Sequence, residues 1–321
     1  MSLVIFIVGG AGYIGSHMVK RAHLDGHKIV TLDNLSTGYK DAVKYGKFEY
    51  CDIHNISKLN ELFNLYKPDA VMHFAAFSIV GESVSDPYKY YHNNISGVLN
   101  LLKVMVDFKC NKLIFSSTAA VYGAPQYTPI DESHPKNPIN PYGKSKLMVE
   151  EILKDFDLAY GLKYVTFRYF NAAGHDVDGE LSERHNPETH LLPLVMQAAK
   201  GERESISIFG SDYNTPDGTC VRDYIHVDDL CQAHLQGLQY LVNAKNDIRS
   251  HVYNLGNGSG YSVKEVVQAV KDATNQEFTV INQDRRQGDP SVLVASSKKA
   301  EKDLSIKTKY PLLSDIIQTL V

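Results

Sequence analysis

Short apolar runs alternate with longer stretches of helical spacing along the first half of the chain. Leu3–Val8, Lys28–Asp33, Phe48–Ile53, Ala70–Ala76, Lys112–Ser117 and Lys163–Phe170 are predicted strands. Helical patterns follow: one from the glycines after Val8 to about Asp25, then Ile56–Tyr66, Tyr88–Phe108 and Pro141–Tyr160. Apolar strands interleaved with helices predict the α/β class, with a doubly wound parallel sheet buried on both faces. After about Gly174 the rhythm breaks, and residues 175–187 are polar and loop-like. His251–Leu255 reads as a strand that rejoins the sheet. The predicted plan is a nucleotide-binding domain over residues 1–174, with a returning segment near 224–256. A smaller mixed α/β substrate domain spans 175–321.

The first strand runs into Gly9-Gly10-Ala11-Gly12-Tyr13-Ile14-Gly15. In a Rossmann sheet Gly9 allows the tight turn, and Gly12 lets backbone N–H groups reach a pyrophosphate. Gly15 then lets the helix pack closely. A glycine-rich turn without a ligand is the plainer reading. Asp33 at the end of the second predicted strand tips the balance, because a carboxylate at that offset binds the adenosine ribose diol. It would repel a 2′-phosphate, so NAD is expected rather than NADP. Asp52 and Ile53 are candidates to hold the adenine, or are a plain strand-end turn. Phe74, Ala75 and Ala76 offer small residues where a cofactor passes a strand end.

Tyr142 and Lys146 form a Tyr-x-x-x-Lys pair, a spacing that chance alone supplies about once or twice in a chain with 20 Tyr. Context makes it informative. Ser116-Ser117-Thr118 ends the fifth predicted strand, and Asn140-Pro141 is a good helix start. Tyr142, Lys146, Val149 and Leu153 then share one helical face. An amine on an apolar stripe needs a partner or a task, unless it snorkels to solvent. The task available is to favour the Tyr142 phenolate as a base toward an alcohol, with Thr118 orienting the hydroxyl.

Bulk properties exclude other classes. Net charge is −4, which argues against a nucleic-acid binder. No apolar run approaches the roughly 20 residues of a membrane span. Cys51, Cys110, Cys220 and Cys231 show no paired spacing, which suits a reducing cytoplasm. His226-Val227-Asp228-Asp229 superficially suggests a metal site, but Asp228 reads as a helix N-cap, and no metal is expected.

The glycine loop, Asp33, Ser117-Thr118 with Val121-Tyr122-Gly123, and Tyr142-x-x-x-Lys146 resemble the extended short-chain dehydrogenases/reductases. Longer strings narrow the resemblance to their UDP-glucose 4-epimerase family. They are GGAGYIGSH, LDNLSTG, HFAAFSIVGES, SSTAAVYG, NPYGKSKLMVEE, RYFNAAG, DGTCVRDYIHVDDL and YNLGNGSGYSV, in order along nearly the whole chain. The resemblance implies that Tyr142, Lys146 and Thr118 carry C4 epimerisation of a UDP-sugar with retained NAD. It adds Tyr13, Ile14, Asn34, Asn93 and Phe170 to the cofactor residues. It implies Asn171, His190, Leu191, Phe209, Arg222, Arg286, Asp289 and Leu293 as substrate residues beside Thr118. Without it, Arg222-Asp223 could be a local ion pair and His190 a helix-start contact. Related dehydratases and decarboxylases carry an acid after the Thr/Ser, where this chain has Ala119 and Ala120. Counting from Gly288-Asp289-Pro290, Leu293 stands where some epimerases place a bulky Tyr, so N-acetylated sugars are expected to be accepted. The alternatives are a UDP-hexuronate 4-epimerase, or an NAD-binding protein without chemistry. The resemblance also implies a homodimer through the helices around 88–108 and 141–160.

Overall fold

The computed structural model describes residues 2–243, 249–286 and 289–321. Its main sheet has seven strands, all parallel. Six come from the first half of the chain: β1 (Val4–Val8), β2 (Lys28–Asp33), β3 (Lys47–Tyr50), β4 (Ala70–His73), β5 (Lys112–Thr118) and β6 (Lys163–Tyr169). The helices between them are α1 (Tyr13–Leu24), α2 (Ile56–Tyr66), α3 (Val80–Ser85), α4 (Pro87–Tyr91), α5 (Val98–Asp107) and α6 (Pro141–Tyr160). After β6 come β7 (Asn171–Ala173), α7 (Leu191–Ala199), β8 (Ser205–Phe209), β9 (Val221–His226), α8 (Val227–Asn243) and β10 (His251–Leu255). The chain ends through β11 (Gly260–Ser262), α9 (Val263–Thr274), β12 (Thr279–Gln283), β13 (Val292–Leu293), α10 (Lys298–Leu304) and α11 (Leu313–Gln318). The strand order β10-β6-β5-β4-β1-β2-β3 reverses between β1 and β4, the switch point where such sheets bind ligands.

Alternation within each strand feeds two cores. Ile5, Ile7, Met72, Ile114 and Val165 face α1 and α8, with Met18, Val19, Leu230 and Leu238. Phe6, Val8, Val71, Leu113 and Phe115 face α2, α5 and α6, with Leu59, Phe63, Leu101 and Val149. Each such side chain, fully buried, contributes about 1.5–3 kcal/mol. This two-sided burial is why the strands read as continuous apolar runs. A third core lies outside the sheet. It joins Leu192 and Val195 of α7, Ile206 and Ile208 of β8, Val266 and Val270 of α9, and Ile316 and Ile317 of α11.

Four expectations are corrected. The third strand stops at Tyr50 and the fourth at His73, so Asp52-Ile53 and Phe74-Ala75-Ala76 lie in the turns beyond them. The long helix predicted over Tyr88–Phe108 is three pieces, with a π-helical turn at His92–Gly97 between α4 and α5. Its cause is Asn94, whose side chain bonds Phe77 N, Phe77 O and Ser145 Oγ and anchors the turn to the loop after β4. Within residues 224–256, β10 joins the sheet as expected and α8 packs on one of its faces. Tyr224–His226 belong to β9 of a smaller sheet with β7, β11 and β13, and residues 244–248 lie outside the described residues. Asp228 is not an N-cap, because α8 already starts at Val227. The His226 ring stacks on Tyr310 with centroids 3.9 Å apart, and its Nδ1 accepts from Asp228 N at 3.0 Å.

Three histidines are locked neutral by the packing. Burial lowers His73 and His226 to about 3 and His234 to about 4. Below the unfolded value near 6.5 the unfolded chain takes up protons that the native chain refuses until pH 3–4, so stability falls with acid. Each should cost about 2 kcal/mol between pH 7 and pH 5. Urea midpoints at the two pH values should differ accordingly, and His234→Gln should narrow the gap. An unchanged gap in that variant would contradict the assignment.

Candidate active site

The carboxyl ends of β1, β2, β4, β5 and β6 lie along one edge of the parallel sheet. Gly9 has φ +83°, and a Cβ there would stand 2.4 Å from Ala75 N. A Cβ on Gly15 would stand 2.1 Å from Gly9 O, so both glycines are required by the chain's own packing. Gly12 differs: its nearest neighbour would be 3.4 Å away, and no side chain caps α1, which it begins. The first N–H groups of α1 thus face a backbone hollow that a side chain would fill. Tyr13 and Ile14 offer only backbone to this hollow. The Tyr13 hydroxyl donates to Gly174 O at 2.6 Å, and Ile14 packs on the first core.

Asp33 accepts from Ala11 N at 2.9 Å and Leu35 N at 2.8 Å, which fixes it against the glycine loop. Burial raises its carboxyl above the usual value, against those two hydrogen bonds. Asn34 Nδ2 donates to Asp52 at 2.9 Å, and buried Ile53 lies beside Gly97. Phe74 N and Ala75 N both donate to Val8 O, with half-buried Ala76 next. Asn93 lies half-buried in the π-helical turn, its Nδ2 donating to Asn94. Phe170 is buried beside Ala119, Val121, Tyr122 and Ile130.

Tyr142 and Lys146 sit where α6 starts. Asn140 caps the helix by accepting from Gly143 N at 2.8 Å. A Cβ on Gly143 would lie 2.5 Å from Ala120 O, so the helix start is pressed against the turn after β5. That contact brings half-buried Tyr142 close to Thr118, whose Oγ1 accepts from Ala120 N at 3.1 Å. Lys146 is buried. Its Nζ donates to Ser116 O at 2.8 Å and stands 5.0 Å from the Phe115 ring.

The electrostatics correct the sequence reading. Burial pushes the Tyr142 phenol up, and the Thr118 hydrogen bond is the opposing cause. Burial also lowers Lys146 to about 7, while Glu150 one turn further pulls it back. A low-dielectric cleft penalises phenolate and ammonium alike.

Sequence reasoning missed the buried network beneath this pair. Glu150 follows Lys146 by one turn and accepts from Arg168 Nε at 2.9 Å and from Ser117 Oγ at 2.6 Å. Arg168 also donates to Tyr122 OH at 2.9 Å, and Tyr122 donates to Asn254 at 2.6 Å. The available signal was Glu150 on the face of Tyr142 and Lys146, opposite an arginine within an apolar strand.

The remaining candidates fall in smaller groups. Asn171 donates to Asp223 O at 2.8 Å. Arg222 pairs with Asp289 rather than with its neighbour Asp223, whose carboxylate receives Asn257 N, Gly258 N and Ala295 N. Leu293 is the register partner of Arg222 across β13 and β9. Arg286 lies flat over Phe209, 3.9 Å from the ring centroid. Gly288, used to set that register, lies outside the described residues. Half-buried Leu191 opens α7, and exposed His190 precedes it with Nδ1 2.9 Å from both Glu183 and Glu188.

Residues 5–256 match the NAD dependent epimerase/dehydratase family. A UDP-glucose 4-epimerase of Lacticaseibacillus casei is 48% identical, over 99% of this chain and 95% of that protein. The chain belongs to the UDP-glucose 4-epimerases of this family. A solved UDP-glucose 4-epimerase from Brucella ovis, in complex with NAD, is 46% identical with a TM-score of 0.96, covering 99% of this chain and 97% of that one. A UDP-Glc/GlcNAc 4-epimerase from Campylobacter jejuni is 44% identical with a TM-score of 0.86, covering 99% and 98%. NAD is the family's cofactor, and the hollow at Gly12, with Asp33 beside it, fits a dinucleotide. Among the described residues no helix is long and apolar enough to cross a membrane.

Proposed function

We infer that this chain catalyses the reversible C4 epimerisation of UDP-glucose and UDP-galactose with tightly bound NAD. The observation that carries this is Tyr142 beside Thr118 at the strand ends, with Lys146 buried one turn below and Ala119 and Ala120 where an acid would be needed for elimination. In this reading the α1 N-terminus takes the pyrophosphate and Asp33 the ribose diol. Asp52 and Ile53 take the adenine, with Asn34 holding Asp52. Phe74, Ala75, Ala76, Asn93 and Phe170 line the path to Tyr142 and Lys146. When bound, NAD would supply a reversible hydride acceptor for C4 and a positive ring that favours the Tyr142 phenolate. Tyr142 takes the 4-hydroxyl proton and gives it back, while Thr118 orients that hydroxyl. Between those two proton transfers the UDP moiety must stay held while the sugar turns. Arg286, kept flat on Phe209, and Arg222, steadied by Asp289, suit that grip, with Asn171, His190 and Leu191 beside them.

The division of labour proposed is cofactor binding by residues 1–174 with α8 and β10, and substrate binding by the rest. The separate third core supports it, although α10 contributes Ala300 and Leu304 to the sheet's core. A hexuronate substrate is not favoured, because Arg184 is committed to Asp41 at 2.9 and 3.0 Å. Exposed Val80, Val84, Tyr88 and Met148 on α3, α4 and α6 support a homodimer. Sedimentation at the mass of one chain would exclude it. Four free, buried cysteines suit a cytoplasmic protein, which fractionation would test.

Incubation with UDP-glucose, UDP-galactose and both UDP-N-acetylhexosamines, without added NAD, tests the reading. All four should interconvert in pairs, the N-acetylated pair because Leu293 leaves room. Turnover of the plain sugars alone would refute the Leu293 assignment. No turnover even with NAD added would refute the function.

A further inference from the structure

The loop entering α7 gathers four donors that the mechanism does not use together: Glu183, His185, Glu188 and His190. No metal was expected from sequence, and the spacing Glu-x-His-x-x-Glu-x-His is neither helical nor ribbon-like. The fold of the loop does the gathering. One ligand atom from each residue lies within 4.8 Å of every other. His190 Nδ1 is 2.9 Å from Glu183 Oε1 and 2.9 Å from Glu188 Oε1. His185 Nδ1 is 3.1 Å from Glu183 Oε1 and 3.7 Å from Glu188 Oε2. Four donors around a tetrahedral zinc, with bonds near 2.0–2.1 Å, stand about 3.3 Å apart, so small shifts would place one ion at their centre.

A second observation points the same way. His185 Nδ1 is shut off from solvent and, despite its closeness to two carboxylates, makes no properly directed hydrogen bond. Both carboxylates are nearly buried, with side-chain exposures of 4% and 8%. Glu188 is already oriented, accepting from Thr189 N at 2.7 Å and His190 N at 2.8 Å. Outer support of that kind is what fixes a ligand in place. The Tyr13 ring meets His185 edge-on at 6.2 Å, so the cluster lies between the start of α1 and the start of α7.

We propose that Glu183, His185, Glu188 and His190 bind one divalent transition ion of the zinc type. Two imidazoles with two carboxylates suit zinc. Calcium and magnesium take oxygen ligands, and no thiolate is present for softer ions. Two carboxylates balance the 2+ charge, so the site closes neutral. Its ligands span eight residues, so ordering them costs little loop entropy. The ion would fix the loop that carries His190 and Leu191, and with it the His185 ring that meets Tyr13 at the start of α1.

The test uses the full chain, stripped with a chelator and dialysed against Zn2+, with bound metal counted by mass spectrometry. About one equivalent should bind at micromolar free Zn2+. Co2+ should give the strong visible bands of a tetrahedral centre, displaced by Zn2+. His185→Gln and Glu183→Gln should each weaken binding at least tenfold, since losing even a supporting group costs 10–100-fold. Failure of the native chain to take up a stoichiometric ion would overturn the proposal, leaving two protonated histidines as the partners of the carboxylates. Uptake unchanged in both variants would overturn it as well. Should one variant fail to fold, the other and the cobalt spectrum decide.

Discussion

Tyr142→Phe should lower turnover of UDP-galactose by about 10³-fold while leaving bound NAD at the native level. General acid–base catalysis typically contributes 10²–10⁴-fold. Ala119 and Ala120 carry no proton. Lys146 is spent on Ser116 O at 2.8 Å. The hydroxyl removed is not a fold determinant, since its partner Thr118 keeps Ala120 N. NAD released by denaturation and quantified by absorbance, alongside coupled-assay rates, separates chemistry from binding. Turnover within tenfold of native would show that another group handles the proton. Loss of NAD together with activity would show that Tyr142 holds the cofactor instead.

Glu150→Ala should destabilise the chain by about 3–5 kcal/mol, the usual cost of stranding one member of a buried ion pair. Arg168 and Glu150 have side-chain exposures of 3% and 1%, with no water-facing route for the abandoned guanidinium. The effect should reach beyond Arg168, because Ser117 loses its acceptor in the same step. Glu150 also supports the charged form of Lys146, so the variant should shift the pH dependence of turnover. Urea midpoints measure the first effect and pH–rate profiles the second. A loss below about 1 kcal/mol would mean that the network relaxes around the gap. The double change Glu150→Leu with Arg168→Met should recover much of the stability, since apolar replacements of whole buried pairs are often neutral.

Much of the site was legible along the chain because its parts are local. The glycine loop, Asp33, and the Asn140-Pro141 start before Tyr142 and Lys146 are each set by a few adjacent residues. Backbone sterics, capping and helical spacing act over that range. Strand ends were less legible. Phe74 continues an apolar run, yet its N–H and that of Ala75 turn to Val8 O, so the strand stops at His73. The helix over Tyr88–Phe108 broke because Asn94 is claimed by Phe77, a partner 17 residues away.

The order and type of elements in the first half of the chain, the glycine turn before α1 and the shared helical face of Tyr142 and Lys146 follow from short-range pattern, and the sequence by itself determined them. Only the tertiary structure decided who partners whom. It joined Arg222 to Asp289 instead of Asp223, Glu150 to Arg168, and four side chains of the loop before α7 to one another. It also buried Tyr142 and Lys146, and that burial disfavours the charged form of each. Charge and spacing are properties of sequence, but the energy of a charge depends on burial. Burial is set by contacts between segments far apart in the chain.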